Sequence, residues 1–306
     1  MDTTSRNHGG PNLSSVEKDP VANAKKSSAY VILPIPSAKP TKQPLGYELF
    51  PQLKSSIYIS AKTKSGKTTL INHIIKHCIG KKTMVYIFSP TVYIDDSYKA
   101  ITKYLEDNDV THEIHQHFIA PDGTNILQSI VDKLLAEVEK GKKQRTTDEV
   151  EQPGQRIPPY IKLVGGKPEY LYDHRATPPE PKEAKRTTKE PNAPKCLFVL
   201  DDLGNELRKP VIYQLLLKQR HFGKTIISSQ YINNIMPNAI QQLDYVILYG
   251  GHNADQLDEL HKKLDLSCDL DEFIHYYKLA TAERYHFLYI DRREAIYKRD
   301  FDTILN

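Results

Sequence analysis

Short runs of apolar residues alternate along the chain with longer stretches in which apolar residues recur every three or four positions. The short runs are typical of buried strands, and the longer stretches are typical of amphipathic helices. Six runs predict strands, at residues 55–60, 83–89, 196–202, 224–230, 244–250 and 285–291. Because helical stretches separate these strands, we expect an α/β fold with a mostly parallel sheet flanked by helices.

Three of the helical stretches can be delimited. Apolar side chains recur at helical spacing from Leu70 to Ile79, and Gly80 follows at a position where helices commonly stop. Residues 129–140 form a second predicted helix. Residues 210–222 form a third, which opens with Pro210 in its first turn.

Two segments depart from this alternation. Residues 1–45 are rich in Ser, Asn, Lys and Pro and predict a flexible N-terminal arm, which docks a short strand through the apolar patch at residues 30–35. Residues 141–195 are rich in Pro, Lys, Glu and Thr and predict a low-complexity surface insertion, with a minor hairpin at residues 159–166. Residues 46–306 are therefore expected to form one domain around this insertion.

Composition narrows the class of protein only slightly. The 306 residues suffice for a full α/β core, and the net charge of +4, from 42 basic and 38 acidic residues, does not by itself indicate nucleic acid. The three cysteines, Cys78, Cys196 and Cys268, are too widely spaced to suggest a disulfide framework or a zinc site. No apolar run is long enough to cross a bilayer, so we expect a soluble, intracellular protein.

The segment AKTKSGKT at residues 61–68 fits the spacing of a Walker A motif. Gly66 allows the backbone to approach phosphates closely, Lys67 places an ammonium beside the β- and γ-phosphates, and the Thr68 hydroxyl can ligate Mg²⁺. The motif follows a predicted strand and opens a predicted helix, which is the context that phosphate binding requires. The predicted nucleotide-binding residues are Ala61, Lys62, Thr63, Lys64, Ser65, Gly66, Lys67, Thr68 and Thr69.

The sequence CLFVLDD at residues 196–202 has the character of a Walker B motif. A buried strand delivers two carboxylates at its C-terminal end, which is the edge where ligands gather in an open α/β sheet. Asp201 is predicted to hold the Mg²⁺ of a bound ATP, and Asp202 is predicted to orient and activate the attacking water.

Two further residues are candidates for catalysis. Gln230 ends the next predicted strand, where its amide can orient water and sense the γ-phosphate. A strand at this point in the chain indicates the additional-strand arrangement of ATP motors. Arg220 ends the preceding helix, where it can stabilise the transition state of a nucleotide bound by a neighbouring subunit. The alternative for Arg220 is a cation that interacts with the last carbonyls of its helix.

The order of these signals resembles the viral DNA-packaging ATPases of the FtsK–HerA superfamily, and most closely the poxvirus-type branch. The resemblance spans residues 50–305 apart from the insertion, and it is most specific in RHFGKTIISSQ and in the closing FLYID…Y…FD. It implies a P-loop NTPase with a RecA-like sheet, assembled as a homo-oligomeric ring that hydrolyses ATP to move double-stranded DNA into a capsid. It also implies Mg²⁺ as cofactor, capsid or membrane-embedded portal proteins as candidate partners, and host cytoplasm or nucleus, or the virion, as location.

The chain departs from that family in two positions. Ala61 stands where many members have glycine, and Asp202 stands where FtsK and HerA proper usually have glutamate. The basic residues expected to face DNA lie in the insertion, where a solvated charged flap is the alternative. They are Lys142, Lys143, Arg145, Lys182, Lys185 and Arg186.

Two other functions stay open at this point. A small-molecule kinase of nucleoside type would use the insertion as a lid, and a catalytically inert structural subunit would bind nucleotide without turnover. The absence of an NKxD stretch after an apolar strand disfavours a GTPase. The histidines of HEIHQHF, residues 112–118, are expected to lie at a polar strand edge rather than to bind a metal.

Overall fold

The computed structural model describes residues 42–150, 161–164, 167–170 and 192–306, and for residues 141–150, 161–164 and 167–170 it describes the backbone only. Residues 1–41 of the predicted arm and the basic residues Lys182, Lys185 and Arg186 lie outside this part of the chain, as do the side chains of Lys142, Lys143 and Arg145.

The described part contains eleven strands and seven α-helices. The strands are β1 (Ser56–Ser60), β2 (Met84–Phe88), β3 (His112–His115), β4 (Ile161–Val164), β5 (Lys167–Tyr170), β6 (Cys196–Asp201), β7 (Gly223–Ser229), β8 (Tyr245–Tyr249), β9 (Phe287–Asp291), β10 (Ile296–Arg299) and β11 (Thr303–Ile304). The helices are α1 (Lys67–Cys78), α2 (Asp96–Asp107), α3 (Ile126–Val150), α4 (Pro210–Lys218), α5 (Pro237–Ile240), α6 (Ala254–Leu264) and α7 (Leu270–Ala280).

Nine strands form one twisted sheet in the order β11-β10-β9-β8-β1-β7-β6-β2-β3. The six strands from β8 to β3 are parallel, and β9, β10 and β11 add antiparallel pairs at the other end. The predicted mostly parallel sheet is confirmed. So is the additional strand, because β7 lies between β1, which precedes the phosphate loop, and β6, which ends at Asp201.

Helices cover both faces of the sheet. Alternate residues of the central strands point to opposite faces, so Ile57 and Ile59 pack with α1 and α2, whereas Tyr58 packs with α3 to α7. Strands β1, β6, β7 and β8 are buried along their whole length. This double burial explains why β6 and β8 read as nearly continuous apolar runs rather than as alternating patterns, whereas β1 and β7 also bury polar residues at their ends.

Some element limits differ from the predicted ones. Helix α3 begins at Ile126 and continues through the first ten residues assigned to the insertion. Helix α4 ends at Lys218 and is followed by a 3₁₀ turn, Gln219–His221, which contains Arg220. The minor hairpin is confirmed as the antiparallel pair β4–β5. None of the described helices is long and apolar enough to span a membrane.

Candidate functional site

The predicted phosphate loop connects the C-terminal end of β1 to the N-terminus of α1. Its backbone turns through two left-handed positions, Lys64 with φ 63° and Gly66 with φ 97°. Gly66 is the N-cap of α1, and a Cβ there would lie 3.3 Å from Cδ1 of Tyr285. The positive φ therefore favours glycine at this position, and a Cβ here would also require the Tyr285 ring to move by a few tenths of an ångström.

A cavity of about 560 Å³ opens above the loop. Nine of its lining residues were predicted from the sequence: Lys62, Thr63, Lys64, Gly66, Lys67, Thr68, Thr69, Asp201 and Asp202. Five were not: Thr91, Ile94, Asp95, Ser97 and Tyr285. The structure thus brings the two predicted motifs, 134 residues apart between Lys67 and Asp201, to one cavity.

Lys67 forms ion pairs with both aspartates of the second motif. Its Nζ lies 2.8 Å from Oδ1 of Asp201 and 3.0 Å from Oδ2 of Asp202. Burial lowers the pKa of Lys67, but the two carboxylates outweigh it and the net shift is upward. The lysine therefore remains a cation at neutral pH, as binding a phosphate requires.

Asp201 is buried and is held by neutral donors as well as by the lysine. Its Oδ2 accepts a hydrogen bond of 2.6 Å from the Tyr98 hydroxyl, and its Oδ1 accepts one from the Ser228 hydroxyl. Burial, and then the neighbouring Asp201, raise the pKa of Tyr98 well above its ordinary value, so this hydroxyl stays a donor. Ser228 lies opposite Asp201 in the parallel pairing of β6 with β7, so the strand register identifies it as a partner of the carboxylate. No pattern in the sequence identifies Tyr98 on α2 as the other partner.

Asp202 has a different environment from Asp201. Its backbone adopts φ 54° just beyond the end of β6, and its side chain is 45% exposed against 3% for Asp201. The left-handed turn directs the second carboxylate toward the cavity while the first stays in the protein. Two adjacent aspartates can in this way serve two roles, one fixed and one facing solvent.

The donor set suits a magnesium ion that is shared with phosphate. No group of three or more His, Cys, Asp or Glu side chains in the described residues can hold a metal without other ligands. Mg²⁺ is usually bound through one or two carboxylates together with substrate phosphates and water. Asp201 and the hydroxyl of Thr68 fit that pattern, because both line the phosphate cavity.

Ala61 does not line the cavity. It is 1% exposed, packs in the core with α1, and donates its N–H to the carbonyl of Ser229 at 3.2 Å. Its φ is not in the left-handed region, so the absence of the usual glycine imposes no backbone strain. The structure therefore gives Ala61 a packing role rather than direct contact with phosphate.

Gln230 follows β7 at the same edge of the sheet as the aspartates, but it does not line the phosphate cavity. It borders a much smaller cavity with Ser60, Tyr231 and His252. Burial and then the charge of Lys62 lower the pKa of His252, which favours a neutral imidazole beside the glutamine. A sensor role for Gln230 stays a prediction.

Arg220 lies at the opposite edge of the sheet. It precedes β7, whose seven residues separate the two edges by roughly 20 Å. The side chain is exposed and forms no hydrogen bond or ion pair with any other described residue. Two other arginines in the same region do have partners, since Arg292 donates to the carbonyls of Leu243 and Leu264, and Arg293 forms an ion pair with Asp244. Because the two edges of the sheet are so far apart, Arg220 cannot reach phosphates bound by its own chain.

The histidines serve separate roles. His112 and His115 lie in β3, which is an edge strand of the sheet as expected. His117 contacts Glu206, whose other oxygen accepts the Phe118 N–H at 2.7 Å. All three cysteines are free thiols, with Cys78 and Cys196 buried and Cys268 partly buried.

Comparison with known proteins finds only distant structural similarity. No family model and no curated protein matches the chain. The genome packaging NTPase B204 from Sulfolobus turreted icosahedral virus 2, in complex with ATP-gammaS, has a TM-score of 0.45 and 15% identity, covering 83% of this chain and 100% of that one. Its complex with AMP gives 0.46 and 16%, covering 82% and 98%. The DNA-packaging ATPase B204 from Sulfolobus Turreted Icosahedral Virus gives 0.43 and 15%, covering 80% and 96%. Similarity at this level does not assign the chain to a family.

Proposed function

We propose that the protein binds ATP with Mg²⁺ and hydrolyses it to ADP and phosphate. The observation that carries this proposal is the position of Lys67, which lies between Asp201 and Asp202 at the wall of a cavity that the phosphate loop lines. A cation, a loop with backbone N–H groups at a helix N-terminus, and an exposed carboxylate are the parts that phosphoryl transfer to water needs.

Each side chain has a distinct task in this proposal. Lys67 exchanges its carboxylate partners for the β- and γ-phosphates, and Asp202, which is then free of its ion pair, accepts a hydrogen bond from the attacking water. Asp201 stays in place because the hydroxyls of Tyr98 and Ser228 hold it. Mg²⁺, bound through Thr68 and Asp201, would neutralise charge on the phosphate oxygens.

We further propose that hydrolysis drives the translocation of double-stranded DNA, and that the cargo is a viral genome packaged into a capsid. Support comes from the sequence resemblance to packaging ATPases, including the poxvirus-type branch, and from the additional strand β7 between β1 and β6. Under this proposal the chain acts in a homo-oligomeric ring with capsid or portal partners, in host cytoplasm or nucleus or in the virion. Arg220 then acts on the ATP of the next subunit.

The test is steady-state ATP hydrolysis with and without double-stranded DNA. Lys67→Ala and Arg220→Ala are each expected to lose most activity, and a mixture of the two is expected to recover part of it. Recovery follows because an intact arginine from one variant can complete an intact phosphate site of the other. Lys218→Ala, which removes a cation from the same end of α4, is the matched control and should keep wild-type activity.

The same assay separates the alternatives. Phosphate transfer to a nucleoside would establish a kinase, and nucleotide binding without turnover would establish an inert subunit. Hydrolysis that DNA does not stimulate, with no recovery of activity when the two variants are mixed, would contradict the ring translocase. The proposal of ATP hydrolysis itself would still stand.

A further inference from the structure

A second cavity of about 590 Å³ adjoins the phosphate cavity. It lies between the first turns of α1 and the sheet edge formed by β9 and the turn after β10. Its apolar wall includes Leu70, Phe287 and Phe301, and it shares Gly66, Thr69 and Tyr285 with the phosphate cavity. The two cavities therefore lie side by side and share part of their wall. We call them the charged half and the aromatic half of one candidate site, and His73 and Asp300 also line the second.

Tyr285 stands at the junction of the two halves and is unusual in two ways. Its ring is largely uncovered, with the residue 57% exposed, and its backbone adopts φ 72°. A bulky side chain rarely takes that conformation, and such outliers concentrate at functional sites. The left-handed turn also delays the start of the strand, so that β9 begins at Phe287 and not at residue 285 as the sequence predicts.

Two neighbours, Gly66 and Arg284, lie close to the ring of Tyr285. Its Cδ1 lies 3.3 Å from where a Cβ of Gly66 would be, and the Arg284 guanidinium lies 4.7 Å from the ring centroid. The ring thus lies beside the phosphate loop and is in cation–π contact with Arg284. An aromatic side chain that is exposed, strained and positioned in this way can stack on a second aromatic ring.

We propose that the second cavity binds the base of the nucleotide, and that Tyr285 stacks on it. This inference rests on the proposed function, because the phosphate loop must first hold the phosphates. Thr69 and Gly66 belong to both cavities, so the aromatic half lies directly beside the loop that would hold the phosphates. The aromatic and aliphatic wall then removes the faces of the base from water.

The experiment compares equilibrium binding of ATP and of inorganic tripolyphosphate, both with Mg²⁺, to the full chain. Tripolyphosphate reports on the loop alone. Wild type should bind ATP more tightly than tripolyphosphate, and Tyr285→Ala should weaken ATP binding by about tenfold or more while leaving tripolyphosphate binding unchanged. Tyr285→Phe should retain ATP affinity, because the phenyl ring can still stack.

Tyr47→Ala is the matched control, since Tyr47 is also an exposed tyrosine, at 43%, but lines neither cavity. It should bind both ligands as wild type does. ATP binding in the wild type that is no tighter than tripolyphosphate binding would overturn the base site, even if Tyr285→Ala failed to fold. Equal ATP affinities for wild type and Tyr285→Ala would also overturn it. Failure of wild type to bind either ligand would instead contradict the proposed function.

Discussion

Single residues in this protein carry charge in places where burial opposes it. Lys224 on β7 is fully buried and hydrogen-bonds to the carbonyl of Gln52 and, at 3.1 Å, to the hydroxyl of Ser55. Its ammonium also lies 5.4 Å from the centroid of the Phe50 ring. Burial lowers the pKa of Lys224 to about 8 despite the nearby Cys78 and Asp244. The lysine thus makes folding depend on pH at mildly alkaline values.

We expect the stability of the wild type to rise, relative to Lys224→Met, as pH increases above 8. Between pH 8 and the ordinary lysine pKa of 10.5, the unfolded chain keeps the proton that the folded chain has released, so raising the pH favours the folded state. Between pH 7.5 and 9.5 the gain should be about 2 kcal/mol in free energy of unfolding. Urea unfolding of both proteins across this range measures it, and parallel pH profiles would contradict the prediction.

Tyr285 provides a second residue-scale prediction, on stability rather than affinity. Because its φ of 72° suits glycine, Tyr285→Gly should be more stable than Tyr285→Ala by about 1 kcal/mol. At Tyr47, which is outside the left-handed region, the order should reverse, with alanine the more stable. Thermal unfolding of the four variants provides the comparison. The same order at both positions would show that backbone strain at residue 285 is unimportant.

At the scale of elements, the pairing of β6 with β7 sets the separation between Asp201 and Ser228. Gly223 opens β7 opposite Cys196, and a Cβ on Gly223 would overlap the carbonyl oxygen of Cys196. The overlapping atom belongs to a buried backbone in the middle of the sheet, so a rotamer change cannot relieve it.

Gly223→Ala is therefore expected to lower the free energy of unfolding by more than about 3 kcal/mol, or to prevent folding. Gly250→Ala is the control, since its Cβ would meet only Thr281, whose nearest atom, Cβ, lies at an ordinary 3.5 Å. Chemical denaturation measures both variants. A Gly223→Ala protein as stable as the Gly250→Ala protein would show that β6 and β7 can separate without cost.

The sequence was most informative where buried strands end in polar residues. Continuous apolar runs identified the six longest strands, and the GKT and DD sequences at their ends identified the centre of the cavity. Tyr98 and Tyr285 could not be found in this way, because their roles depend on tertiary contacts between distant elements. The limits of α3 and α4 were also missed, since helical periodicity marks an apolar face and not the residue where the helix stops.

At the scale of the whole molecule, α3 is the longest of the described helices and carries basic residues near its C-terminal end. It has 25 residues and is therefore roughly 37 Å long, and Lys142, Lys143 and Arg145 belong to its C-terminal half. Deleting residues 141–195, which would test their role most simply, would also remove backbone that holds the core. Lys195 accepts the N–H of Met84, and Asn192 accepts that of Leu45.

Replacing Lys142, Lys143 and Arg145 with glutamine avoids this damage. We expect the triple variant to retain basal ATP hydrolysis and to show weaker stimulation by DNA, with a shallower salt dependence of DNA binding, because fewer counterions are released. Lys133→Gln, an exposed position on the same helix, is the control and should behave as wild type. Unchanged stimulation and salt slope in the triple variant would exclude this part of α3 as a DNA contact.

The placement of Arg220 and the phosphate loop on opposite edges of one sheet has a consequence for symmetry. In the proposed ring, a contact that joins the arginine edge of one subunit to the phosphate edge of the next is heterologous, because the two subunits contribute different surfaces to it. An open chain of such subunits always leaves one phosphate edge without an arginine, and only closure under rotational symmetry completes every site. Specific activity should therefore rise with protein concentration in proportion to the number of subunit contacts, because each contact supplies one arginine and the final contact, which closes the ring, completes the last site.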